Sequence, residues 1–317
     1  MQFAWIVFFI SLAYLGLLFL IAHFADRRAA QGRSIGANPY VYSLSLAVYC
    51  TSWTFYGSVG RAATDGIGFL PIYLGPTLLF MVAPFLLRKI LKIAQAQRTT
   101  SIADFISSRY GKSQMLAGLV TVVAVIGIMP YIALQLKAVS NSFDILGRYP
   151  EITAILPRCM GGLDEKAFYV TILLALFTIF FGTRRLDASE HHEGLMVAIA
   201  FQSLVKLFAF LAVGIFVTYF MFDGFAAVFD RAASNDALSF LISGQQLFDN
   251  GSWTFLMMLS ALAAFCLPRQ FQVTVVENTH RSHLDKAMWL FPLYLLVINI
   301  FVLPIAIAGL TTFPGGG

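Results

Sequence analysis

Long apolar runs separated by short polar segments make up most of this chain. A helix of about 20 apolar residues crosses the core of a bilayer, and runs of that length recur along the sequence. They predict eight membrane-spanning helices, at residues 3–23, 40–60, 67–87, 115–138, 167–182, 195–222, 252–276 and 287–310. The predicted fold is therefore an all-α integral membrane protein, with residues 1–317 forming one membrane domain.

Composition agrees with this pattern and argues against both a soluble domain and a nucleic-acid-binding protein. The 317 residues are 59% hydrophobic and 12% charged, whereas soluble domains are about 25% charged. The excess apolar surface must face lipid, so the bilayer itself is the first partner. The net charge of +5 is spread between apolar runs and forms no continuous basic patch, which argues against nucleic-acid binding.

The distribution of cations predicts an orientation. With the loop after the first span placed in the cytoplasm, the inner segments hold 13 of the 21 Lys and Arg residues and the outer segments hold five. The positive-inside rule then puts both chain ends outside. We expect the membrane to be the plasma membrane, the inner membrane of a bacterium. The first run has no basic segment before it and no cleavage pattern, so we expect it to be retained.

One inner segment, 88–114, contains the stretch SIADFISSRYG. Ser101 and Asp104 form a capping box, and Ile102, Phe105 and Ile106 share one helix face. This pattern predicts a short amphipathic helix on the inner membrane surface.

The second span has an unusual centre, YCTSWTFYGSVG, with hydroxyls at Thr51, Ser52 and Thr54. Small and hydroxylated residues occur at helix interfaces within membranes. They also satisfy main-chain groups where a helix is broken around a binding site. For this span alone, both interpretations stay open.

The seventh span favours the second interpretation. Pro268 and Arg269 interrupt it halfway, and a proline within a helix removes one main-chain hydrogen bond and disrupts another. Spans two and seven are five apart and so cross the membrane in opposite directions. Two such interrupted helices predict a binding site near the midplane. Arg269 then has two candidate roles, pairing with a substrate carboxylate or capping carbonyls freed by the break.

Four motifs carry a resemblance to a known family. In order along the chain they are YSLSLAVYCTSWTFYGSVG, SIADFISSRYG, GLMVAIAFQSLVK and FCLPRQFQVTVVEN. The chain resembles the N-terminal part of the sodium:solute symporter family, and most of all the branch fused to sensor histidine kinases. The resemblance implies an incomplete LeuT-type inverted-repeat bundle with broken helices two and seven. The first helix would be extra, and residues 40–310 would be core helices one to seven of ten.

The resemblance also implies roles for particular residues. With Trp53 and Gly57 aligned to the family, the main-chain carbonyls of a sodium site fall at Ala47 and Cys50. Substrate-facing positions fall at four neighbouring residues: Tyr49, Thr51, Ser52 and Trp53. The family's other sodium ligands lie on a ninth core helix, and the sequence ends at TTFPGGG before it. We therefore expect a fragment of a longer protein.

Lys206 lies about a dozen residues into the sixth span, roughly 17 Å along the helix and near mid-membrane. An ionisable side chain at that depth marks a function by default. In the family an acidic residue lies nearby, at the position of Gln202 here. In a functional role, Lys206 replaces sodium or carries a coupling proton. In a structural role, it pairs with an acid on another helix or extends to the membrane surface. Gln135 and Lys137 of the fourth span are further candidates for the cavity.

No enzyme motif is present in the sequence, and neither a catalytic site nor a metal site is predicted. The segment DASEHHEG has histidines and carboxylates, but adjacent side chains diverge on a helix. We expect no cofactor, with Na⁺ or H⁺ as the coupling ion. Two functions remain: a transporter for an amino acid or carboxylate, or a solute-sensing receptor domain that signals to a response regulator through a kinase region absent here. A purely structural bundle is disfavoured by the paired breaks and Lys206.

Overall fold

A computed structural model describes residues 2–82, 84–147, 193–235, 238–243 and 251–313, together with Ile172 and Ala175. Every element in this part of the chain is helical. Its α-helices are α1 (Gln2–Ala30), α2 (Pro39–Ser45), α3 (Ser52–Asp65), α4 (Pro71–Val82), α5 (Pro84–Gln97), α6 (Ile102–Ser107), α7 (Gln114–Gly147), α8 (Glu193–Ile215), α9 (Phe225–Ala233), α10 (Phe240–Ser243), α11 (Ser252–Cys266), α12 (Pro268–Phe271), α13 (His283–Asn299) and α14 (Val302–Thr312).

Four stretches of the described residues are long and apolar enough to cross a membrane unbroken. They are Trp5–Ala30, Gln114–Phe143, Glu193–Met221 and His283–Thr312. Two bent pairs raise the number to six: Ser52–Phe69 with Pro71–Val82, bent by 61°, and Ser252–Cys266 with Pro268–Val276, bent by 57°. The predicted fifth span, 167–182, falls almost wholly outside the described residues. The structure therefore supports a helical membrane protein with four to six spans, and the number eight stays a prediction.

Both predicted interruptions occur. In the second span, α2 continues as a 3-10 turn over Leu46–Tyr49 and the helix restarts at Ser52. In the seventh span, α11 ends at Cys266 and α12 begins at Pro268, then continues as a π-helical turn over Gln272–Val276. The predicted limits of the second span were too short, because helix α3 runs to Asp65.

The halves of each broken span pack against different partners. Helix α11 lies along α4 so closely that a Cβ on Gly75 would meet the Ser260 Oγ at 2.0 Å. Helix α2 packs between α8 and α13, and the Tyr42 hydroxyl donates to the Thr274 carbonyl at 2.7 Å. Helix α11 is thus held by α4, whereas α2 is held by α8 and α13. Through Tyr42, α2 also contacts the second half of span seven.

The short helix predicted in segment 88–114 is present as α6, and its capping is as expected. The Ser101 Oγ accepts from the Asp104 amide, and the Asp104 carboxylate accepts from the Thr100 amide, both at 3.1 Å. Its predicted place on the inner membrane surface stays a prediction. Phe105 packs into the core, with its ring 5.5 Å from that of Phe271. Protein contacts therefore cover part of the apolar face, and its three residues remain half-buried.

Candidate functional site

The break in the second span lies at Cys50 and Thr51. Both residues are extended, with φ and ψ of −80° and 107° for Cys50 and of −113° and −165° for Thr51. The Cys50 amide still bonds to the Ala47 carbonyl at 2.9 Å, closing the preceding turn. The Thr51 Oγ1 caps the next helix by accepting from the Trp53 amide at 3.4 Å. What the break leaves available is the carbonyl of Cys50.

Lys206 forms a hydrogen bond to that carbonyl. Its Nζ donates to the Cys50 oxygen at 2.6 Å, which joins the middle of α8 to the break. Hydrogen bonds from charged donors are shorter and stronger than neutral ones, so this contact fixes the break in place. Of the two carbonyls that the resemblance assigns to sodium, one accepts from the Lys206 amine. The other, that of Ala47, accepts from the Cys50 amide.

A cavity of about 260 Å³ opens beside this contact. Its walls are mostly apolar, with the hydroxyls of α3 and the Lys206 amine at one side. The lining residues are Cys50, Thr51, Ser52, Thr54, Phe55, Lys206, Ala209, Phe210, Val213 and Ile298. Four of the residues singled out from the sequence therefore meet at one cavity: Cys50, Thr51, Ser52 and Lys206.

A tyrosine of the fourth span connects the two breaks. The Tyr131 hydroxyl donates to the Thr51 Oγ1 at 3.1 Å and accepts from the Arg269 Nη2 at 2.9 Å. The guanidinium carbon of Arg269 also lies 5.2 Å from the centre of the Tyr131 ring. Among the described residues, Arg269 makes no hydrogen bond to a main-chain carbonyl. Its second candidate role, capping the break, is therefore not what its guanidinium does in this structure.

One turn further along α7, Gln135 reaches the same site. The Ser52 hydroxyl donates to the Gln135 Oε1. The Gln135 Nε2 is buried and has no hydrogen-bond partner in the described part of the chain. Since buried polar groups are nearly always paired, this amide is a donor available to a ligand. Lys137, the other candidate on this helix, is exposed on a different face, about 200° around from Gln135.

Several residues singled out from the sequence do not line the cavity. The Tyr49 hydroxyl donates to the Ile72 carbonyl at 2.8 Å, so it holds α4 rather than a solute. Trp53 lies over Gly57, where an added Cβ would be 2.2 Å from its ring. Gln202 is half-buried on α8, one turn before Lys206. Tyr49 and Trp53 are not among the residues that line the cavity, because the Tyr49 hydroxyl bonds to α4 and the Trp53 ring lies over Gly57 of its own helix.

Sequence reasoning missed Tyr131, which the structure places at the centre of the polar contacts. The signal was present in IMPYIALQLK, where Tyr131 and Gln135 are four residues apart and share a helix face just after Pro130. For metal binding, no cluster of three or more His, Cys, Asp or Glu residues occurs among the described residues. Most of DASEHHEG, residues 187–192, lies outside them.

Comparison with known proteins agrees with a membrane transport protein. The chain is similar to two proteins of Bacillus subtilis strain 168, each named an uncharacterized symporter. YodF is 29% identical over 167 residues, covering 50% of this chain and 31% of YodF. YhjB is 23% identical over 286 residues, covering 89% of this chain and 53% of YhjB. No family model and no solved structure matches. This chain spans between a third and about half of the length of these relatives, and their names support solute transport rather than enzymatic catalysis.

Proposed function

We propose that this chain is the membrane domain of a symporter of the sodium:solute type, moving an amino acid or small carboxylate through the site between the two breaks. The contact of Lys206 with the Cys50 carbonyl carries the proposal. Burying an ammonium near mid-membrane is costly, and here it is aimed at the main-chain oxygen that a broken helix leaves available. A structural bundle has no need of either feature.

The solute lies near the Arg269, Tyr131 and Thr51 contacts. Its carboxylate is recognised by the Arg269 guanidinium, which matches the planar geometry of a carboxylate. The buried Gln135 amide and the Ser52 hydroxyl supply neutral hydrogen bonds. These donors select for an anionic or zwitterionic solute over a cationic one.

Lys206 stands in for the coupling cation. Two positive charges about 4 Å apart repel by about 4 kcal/mol at an effective dielectric constant of 20. A sodium ion on the Cys50 carbonyl would meet this repulsion from the ammonium beside it. The protonated amine therefore either replaces sodium as a fixed charge, with no ion carried, or couples transport to the release and uptake of its proton. The protein lies in the plasma membrane with its N-terminus outside, as its cations predict.

The test is uptake of labelled amino acids and carboxylates by cells that produce the full-length protein. Lys206→Met keeps the length of the side chain and removes its charge, and we expect uptake to fall at least tenfold. Lys137→Met is the matched control, because it also removes a lysine from a span but lies exposed on another helix face. Uptake that is equal in Lys206→Met and in the unaltered protein would refute the proposal.

The resemblance to kinase-linked members supports a second function, a solute sensor that reports to a response regulator. The same site would then bind its solute with little net transport. Equilibrium binding of the labelled solute to purified protein separates the two functions. Saturable binding sensitive to Arg269→Gln, together with no uptake above background, would assign the protein to the sensor class.

A further inference from the structure

Helix α5 carries a cationic face, formed by Arg88, Lys89 and Lys92, and all three residues are exposed. At 100° per residue they fall within about 100° of one another around the helix. The opposite side of α5 is fixed in the protein core by a buried stripe of three residues, Leu87, Leu91 and Ala94. The helix cannot rotate to bury the cations, so they stay at the surface of the protein.

Large apolar side chains precede the cationic face on the same helix. Phe85 is 72% exposed and Leu86 42% exposed. Phe85 shares the cationic face and lies seven residues before Lys92, or roughly 10 Å along the axis. The face thus changes from apolar to cationic over a distance that matches the step from acyl chains to headgroups at a membrane surface.

Among the described residues, the acid of segment 88–114 and the one at the start of α13 are already engaged. Segment 88–114 has six Lys or Arg residues and one acid, Asp104, whose carboxylate accepts from the Thr100 amide. Arg88 pairs with Asp285 at 2.7 Å. In the part of the chain that the structure describes, no ion pair involves Lys89 or Lys92. Two cations are therefore available to an anionic partner beside an exposed aromatic ring.

We propose that the cationic face of α5 binds the phosphodiester headgroups of anionic phospholipids. The lipid's acyl chains lie against Phe85 and Leu86, and its phosphate bridges Lys89 and Lys92. A soluble anion would gain from the cations alone, whereas a phospholipid gains from the cations and from the apolar residues before them. This face lies outside the proposed solute site, and its role is independent of transport.

The test measures unfolding of the full-length protein in uncharged detergent while phosphatidylglycerol or phosphatidylcholine is titrated. A ligand that binds the folded state raises its unfolding temperature. We expect phosphatidylglycerol to do so and phosphatidylcholine to do so less. Each cation near an anionic surface contributes about a fivefold gain in affinity. The double variant Lys89→Gln with Lys92→Gln should therefore need about 25 times more phosphatidylglycerol for the same rise in unfolding temperature. Moderate salt should weaken it as well.

Arg231→Gln is the control, because it removes an exposed cation from α9, away from this face. It should leave the response to phosphatidylglycerol unchanged. Three results would overturn the proposal: equal responses to the two lipids, an unaltered response in the double variant, or the same loss in Arg231→Gln as in the double variant. Stabilisation by inorganic phosphate equal to that by phosphatidylglycerol would assign the face to a soluble anion instead.

Discussion

The two breaks, one in each broken span, are built in different ways. At Cys50 and Thr51 there is no proline, and side chains from other helices contact the break: Lys206 of α8 donates to the Cys50 carbonyl, and Tyr131 of α7 donates to the Thr51 hydroxyl. At Leu267 the proline that follows restricts the backbone to an extended conformation, and no side chain caps the next helix. The first break therefore depends on tertiary contacts, and the second is encoded locally.

This difference assigns different roles to the two breaks. The first receives the Lys206 amine and presents hydroxyls to a cavity. The second supplies the guanidinium of Arg269, which reaches the first through the Tyr131 hydroxyl. A solute that takes Arg269 away from Tyr131 would change a contact at both breaks at once.

The largest effect on transport should come from Arg269→Gln, which removes the guanidinium group that the second break supplies. A hydrogen bond to a charged group is worth about 1.5 to 3 kcal/mol, so the KM for a carboxylate solute should rise roughly 10- to 150-fold. Arg269→Lys should recover part of the loss, since it keeps the charge but not the planar fork. Transport kinetics of both variants give the answer, and an unchanged KM in Arg269→Gln would remove the guanidinium from the site.

A smaller effect is expected from Tyr131→Phe, which separates the two breaks without altering any charge. Losing a neutral hydroxyl contact costs about 0.5 to 1.5 kcal/mol, so uptake efficiency should fall roughly 2- to 12-fold. The matched control is Tyr56→Phe, because the Tyr56 hydroxyl also joins α3 to α7, through Ser142 at 2.9 Å, but touches neither break. Equal losses in the two variants would mean that Tyr131 only holds the helices together.

The smallest effect on uptake should come from Tyr49→Phe. The Tyr49 hydroxyl bonds to the Ile72 carbonyl, so its loss should destabilise the fold by about 1 kcal/mol and leave KM unchanged. Thermal unfolding and uptake, measured on the same preparation, separate these outcomes. A rise in KM with no change in stability would restore the substrate-facing role that the family resemblance implies for Tyr49.

The sequence was sufficient to locate both breaks. Hydroxyls at Thr51 and Ser52 and a proline within an apolar run are local signals, and each break lies within two residues of its signal. The lengths of the apolar runs likewise predicted the long helices α1, α7 and α8. The positions of the breaks and the lengths of the helices are marked by neighbouring residues, which a sequence contains directly; the contacts that hold the first break are not.

Contacts between distant segments could not be predicted in the same way. Lys206 meets Cys50 across 156 residues, and Tyr131 meets Arg269 across 138. The amphipathic pattern of α6 showed which face is apolar but not that Phe271 contacts it. Similarly, an aromatic residue beside a break can contact either a solute or other protein residues. In this structure, Tyr49 contacts Ile72 and Trp53 contacts Gly57.

The central claim is that the Lys206 ammonium takes the place of a coupling cation at the first break. The most direct measurement is solute uptake by proteoliposomes containing the full-length protein, with external sodium replaced by choline at constant pH and ionic strength. The account predicts that uptake by the unaltered protein continues at an undiminished rate without sodium. An uptake rate that rises steeply and saturably with sodium while Lys206 is intact would contradict it.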